Sequence, residues 1–131
     1  MRNSHLARVL AHRAAQKETN AYSSALADID GNSCSVHALR LLTGLSYVEA
    51  HSAVKKIGRE TGRGLLSSKI DEYLKLFEEF GFKLIKVACV PAMSGKYLIV
   101  QQDHLAAWVD GRVLNGYSRR GIESIWRVEP A

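Results

Sequence analysis

An α+β fold, with helices first and a mostly antiparallel sheet after them, is predicted by two features of the sequence. Helical periodicity and cap signatures run from about residue 34 to Gly81. Beyond Gly81 the pattern changes to short apolar runs separated by Gly, Pro and Asp-Gly, which is how strands and hairpins read. The length of 131 residues and a hydrophobic content of 47% suit a single domain, 1–131, with one core over about 30–128.

Residues 1–18 are polar, basic and Ala-rich, with Leu6, Val9 and Leu10 at helical spacing, and are expected to form a helical arm. Residues 19–33, rich in Ser, Asn, Asp and Gly, read as loop. A helix opens near Cys34, with Asn32 or Ser33 as its cap and Gly44 as its terminator. Ser46 and Glu49 form a capping box for the next helix, which ends at Gly58. The three glycines of 58–66 mark a flexible loop. Ser68 with Asp71 is a third cap signature, and the helix behind it carries Ile70, Tyr73, Leu74, Phe77 and Phe80. Strands are expected over 82–90, 97–102, 104–109, 112–117 and 122–128, with Pro91 and Gly95 bracketing one turn and Asp110-Gly111 making a tight hairpin.

Composition excludes several classes. Two distant cysteines, Cys34 and Cys89, are not a disulfide framework, and no Cys/His cluster has zinc spacing, so neither a metal nor a cofactor is implied. The sequence shows no signal-peptide run and no stretch of ~20 apolar residues, so the expectation is a cytoplasmic protein without a membrane partner. A net charge of +5 leaves nucleic acid open as a partner, but the basic residues are scattered and no nucleic-acid motif accompanies them.

Chemistry concentrates at Cys34. A thiol at a helix N-terminus meets the positive end of the helix dipole and free backbone N–H groups; both favour the thiolate, and the same N–H groups can hold an oxyanion. The alternative is a small buried core residue. Cys89, in the apolar run KLIKVACVP, reads as core. Of five histidines, His5 and His12 lie in the basic arm and His51 lies mid-helix. His37 is one turn beyond Cys34 and is expected to point away from a cleft above the helix start. His104, at the head of a strand, is the better base. With Asp110 and Gly111 as the hairpin loop, Val109 pairs with Arg112, Ala106 with Asn115 and His104 with Tyr117. Asn115 then lies diagonal to His104 on one face and can accept its ring N–H, whereas Asp110 belongs to the turn.

A Cys at the start of the first core helix, a His on a later strand and an Asn on the next is an order that resembles papain-like cysteine peptidases. The stretches CSVHALRLLTGLSYVEAHSAVKKIGRETGRG and GKYLIVQQDHLAAWVDGRVLNGY resemble more narrowly the small phage and bacterial proteins of that superfamily, related to C39-like and NlpC/P60-like peptidases. The resemblance covers about residues 30–117. It implies a papain-like fold, a thiol hydrolase acting on a peptide, amide or isopeptide carbonyl, and a location in the host cytoplasm if the chain is phage-encoded. Cys34 would be the nucleophile, His104 the base and Asn115 its orienter. The family's oxyanion Gln has no counterpart in residues 18–33, where Asn32 is the candidate substitute. Arg59 and Arg63 of the Gly-rich loop, with Tyr117, are candidates to line the substrate cleft. The alternative reading on the same fold is a non-catalytic protein that blocks a host or partner protein.

Overall fold

Among the described residues, three helices precede five strands: α1 (Cys34–Thr43), α2 (Tyr47–Lys56), α3 (Ile70–Glu79), β1 (Phe82–Val87), β2 (Lys96–Gln101), β3 (Leu105–Val109), β4 (Arg112–Val113) and β5 (Ile122–Pro130). The computed structural model describes residues 32–89, 94–116 and 121–131. The expected arm at 1–18, nearly all of the 19–33 loop, Val90, Pro91 and Tyr117 lie outside them.

The Gly44 terminator and the Ser46 capping box act as read. Gly44 adopts a left-handed φ of 82° and donates its N–H to Arg40, closing α1. Ser46 Oγ accepts the Glu49 N–H at 3.1 Å at the start of α2. The Ser68/Asp71 signature does not: α3 starts without a side-chain cap. A 3₁₀ turn at Ser67–Lys69 precedes it, and its backbone bonds, Lys69 N–H to Leu66 and Ile70 N–H to Ser67, satisfy the donors a cap would have taken.

The sheet order is β1-β5-β2-β3-β4, and every neighbouring pair is antiparallel. β2 is buried from Tyr97 to Gln101. Leu98 and Val100 join Leu105, Ala107 and Val128 in the main core, together with Val36, Leu39 and Leu42 of α1, Val54 of α2 and Tyr73 and Phe77 of α3. Tyr97 and Ile99 join Ala106 and Ile125 in a second cluster, with Trp108 and Val113 against it. Alternation along β2 and β3 therefore sends odd and even residues to opposite faces, both of them covered, which is why 97–100 is an unbroken apolar run. No helix among the described residues is long and apolar enough to cross a membrane.

Three strand expectations need correction. β1 ends at Val87, at one edge of the sheet, so Cys89 lies beyond it and is exposed rather than core. β3 begins at Leu105, leaving His104 just outside it, and the return strand stops at Val113 rather than running to 117. The hairpin itself pairs as read: Val109 faces Arg112 and Trp108 faces Val113, with left-handed φ values of 47° at Asp110 and 86° at Gly111.

Tyr73 ties the start of α1 to α3. Its ring packs edge-on against Phe77 with centroids 5.7 Å apart, and its hydroxyl donates to the Ser35 carbonyl at 2.7 Å. Burial pushes the phenol well above its ordinary 10.0; the neighbouring Cys34 adds to the rise, and a backbone hydrogen bond from Leu39 opposes it. Tyr73→Phe keeps the packing and loses the bond, so urea unfolding should show a loss of about 1 kcal/mol. Because folding raises this pKa, the Tyr73 contribution is intact below pH 10 and is lost as pH climbs toward the folded value. Above about pH 10 the wild-type chain should therefore lose stability faster than Tyr73→Phe.

Candidate active site

Cys34 is half-buried and is the first residue of α1. The turn before it is held from outside the helix. Asn32, at a left-handed φ of 54°, donates its side-chain amide to the Gly62 carbonyl at 3.2 Å, and Arg59 donates to the Asn32 carbonyl at 3.3 Å. Neither Asn32 nor Ser33 caps α1 as expected: Ser33 makes no side-chain cap bond, and Asn32 is turned toward the 58–66 loop. The first-turn N–H groups of α1 thus receive no side-chain oxygen from the cap residue, and the turn contains no acidic residue.

The same contacts revise the role of the loop. Arg59 is only 3% exposed and anchors the backbone before Cys34 rather than facing a substrate. Arg63 is largely exposed, sits 3.7 Å from Glu60 and lines neither of the two cavities that hold Cys34. The loop reaches the site through Gly64 and Leu65 instead.

Two adjoining cavities, of about 310 and 390 Å³, have Cys34, Gly64, Asp103 and His104 in common. Asn32, His37 and Asn115 line the second, and Gln101 and Gln102 line the first. Cys34 and His104 are thus brought to shared walls, but not along the route that strand alternation suggested. The face shared by Ala106, Trp108 and Val113 is the one away from α1, since Leu105 and Ala107 pack under the helices. A His104 held in that alternation would point away from Cys34. It lies instead at the mouth of the β2–β3 hairpin, where the Gln101 N–H bonds the His104 carbonyl at 2.8 Å around Gln102 and Asp103.

Asn115 also escapes the predicted register, and it does not bind the His104 ring. Its Oδ1 accepts the Ala107 N–H at 2.8 Å, and its Nδ2 donates to the Leu105 carbonyl at 2.9 Å and toward the Cys34 carbonyl at 3.5 Å. The side-chain amide stands where the next strand residue would pair, so the ladder ends and the chain turns toward the helix. The His104 ring is held instead by the Gly116 carbonyl, 2.7 Å from Nε2. A carbonyl only accepts, so Nε2 carries the proton and Nδ1 is left as the basic nitrogen. A backbone carbonyl has no side-chain signature, which is why sequence reasoning missed it.

His37, expected to point away, lines the second cavity beside Cys34. Side chains on a helix lean toward its N-terminus, which brings a residue one turn along back over the first turn. Arg40 donates to His37 Nδ1 at 3.3 Å, which places that ring's proton on Nε2 and makes it a donor rather than a base. Asp110 belongs to the turn, as read, accepting the Gly95 N–H at 2.9 Å.

Asn115→Ala leaves the Ala107 N–H and the Leu105 carbonyl without their partner. It should lower stability by about 1–3 kcal/mol in denaturant unfolding and speed hydrogen exchange at the Ala107 amide. In comparisons with protein families, with curated proteins and with solved structures, nothing matches this chain.

Proposed function

We propose that the chain is a thiol hydrolase of papain-like arrangement acting on a peptide, amide or isopeptide carbonyl. The observation that carries this reading is the pairing of Cys34, at the uncapped start of a ten-residue helix, with His104 on the walls of the same two cavities. The order of a Cys-bearing helix followed by a sheet with His104 just before β3 and Asn115 just after β4 supports it.

In the reaction, His104 Nδ1 takes the Cys34 thiol proton and the sulfur attacks the carbonyl carbon. The carbonyl π electrons move to oxygen, where the first-turn N–H groups of α1 stabilise the charge. Collapse of this intermediate breaks the C–N bond, and the amine leaves with the proton from His104, giving a thioester. Water then attacks the thioester while Nδ1 takes its proton; the carboxylic acid departs and the proton returns to sulfur. Asn115 acts as a positioning residue, tying the nucleophile's helix to β3. The Gly116 carbonyl holds the His104 ring.

A second reading, a binding protein without turnover, is favoured by Leu66, Leu114 and Ile122. Each is a large apolar side chain left exposed, and each is next in sequence to a residue on a cavity wall. It differs in one outcome: Cys34→Ala would leave partner blocking intact.

The test of the hydrolase reading is iodoacetamide labelling followed by peptide mapping. Cys89 is exposed and Cys34 is half-buried, so access alone favours Cys89. Cys34 should nonetheless react faster, and His104→Ala should slow it by at least about tenfold while Cys89 keeps its rate. Labelling of Cys34 no faster than Cys89 would overturn the reading.

A further inference from the structure

The cavity of about 310 Å³ that holds Cys34 and His104 carries three carboxylates, Asp71, Asp103 and Glu123, and no lysine or arginine among the described residues. They come from separate parts of the fold: the first turn of α3, the β2–β3 turn and the start of β5. In a chain of net charge +5, a wall of this sign runs against the average. Asp71 and Glu123 are exposed, and among the described residues neither is in an ion pair. Lys69, two residues before Asp71, pairs with Glu72 at 3.6 Å instead.

Leu65, Ile70, Val100 and Leu105 give the wall apolar surface, and Ser67, Gln101, Gln102 and Ser124 give it uncharged polar groups. Apolar surface and unbalanced carboxylates on one wall suit a side chain with a hydrocarbon stem ending in a positive charge. The thiol within the cavity defines the site; the carboxylates define what enters it. We infer that this cavity selects a substrate bearing a lysine or arginine side chain beside the carbonyl that Cys34 attacks. The inference rests on the thiol-hydrolase reading and adds its substrate class. Asp71 and Glu123 are the specificity-determining residues, and their charge, with no cation of the wall opposing it among the described residues, attracts the bound cation.

The experiment uses the full chain and three peptidyl chloromethyl ketones that differ only in the residue next to the reactive carbon: lysine, norleucine or glutamate. In each, the Cys34 sulfur displaces chloride to form a thioether, the thiol proton passing to His104, and peptide mapping gives the rates at Cys34 and Cys89. The lysine probe should label Cys34 about tenfold faster than the norleucine probe at low salt, with the glutamate probe slowest and the differences shrinking as salt is raised. In Asp71→Asn with Glu123→Gln, the lysine-to-norleucine ratio should fall to within about twofold of unity. Equal lysine and norleucine rates in the wild-type chain, with Cys34 still outrunning Cys89, would overturn the charge selectivity and leave the hydrolase reading standing. Cys34 labelled no faster than Cys89 by every probe would overturn both. A wild-type ratio that survives in the doubly substituted chain would remove Asp71 and Glu123 from the role.

Discussion

The amide of Asn115 is the interaction on which the site's geometry depends. It occupies the hydrogen-bonding positions between Leu105 and Ala107 that a further strand residue would have filled, and its Nδ2 also reaches toward the Cys34 carbonyl. One side chain therefore ends the β3–β4 ladder, turns the chain so that the Gly116 carbonyl meets His104, and links the sheet to the first residue of α1. A half-buried amide in this position is effective because its donor and acceptor match the spacing of a strand edge, where unpaired backbone groups would otherwise be left.

The start of α1 is held from three sides. The 58–66 loop grips the residue two before Cys34 through Gly62 and Arg59, Tyr73 grips the Ser35 carbonyl, and Asn115 approaches the carbonyl of Cys34 itself. All these bonds reach segments distant in the chain, and they leave the first-turn N–H groups without a cap from Ser33. Among the described residues, this helix end is held in place without an acidic residue in its first turn, which is what the proposed oxyanion role requires. Below this frame the core is ordinary: α1 packs its apolar stripe on Leu105 and Ala107, and the bulk of Tyr73 and Phe77 fills the space beneath α3.

Several parts of this were legible in the sequence because they depend on local chemistry. The α+β class, the Gly44 terminator, the Ser46 cap and the Asp110-Gly111 turn follow from backbone conformations that only certain residues favour. The pairing of Val109 with Arg112 follows in turn from the length of the loop. Cys89 was misread because its neighbours are apolar; nothing in KLIKVACVP says that β1 is an edge strand ending two residues before it. Arg59 was misread because a basic residue in a glycine-rich loop looks solvent-facing until the loop folds back and buries it against Asn32.

Cys34 at a helix start and the Asp110-Gly111 hairpin with its Val109–Arg112 pair were determined by the sequence alone, since each is set by residues close in the chain; His104 and Asn115 read as strand residues but lie just outside β3 and β4. Which way those side chains face was decided only by the tertiary structure. Strict alternation would have sent His104 and Asn115 to the face of Ala106 and Trp108, away from α1. They reach the Cys34 cavities because both lie where the ladder has ended, and where a ladder ends depends on competing hydrogen bonds from segments far apart in the chain. The acidic lining of the thiol cavity has the same origin: Asp71, Asp103 and Glu123 share no local pattern, and only the packing of α3 and the sheet brings them to one wall.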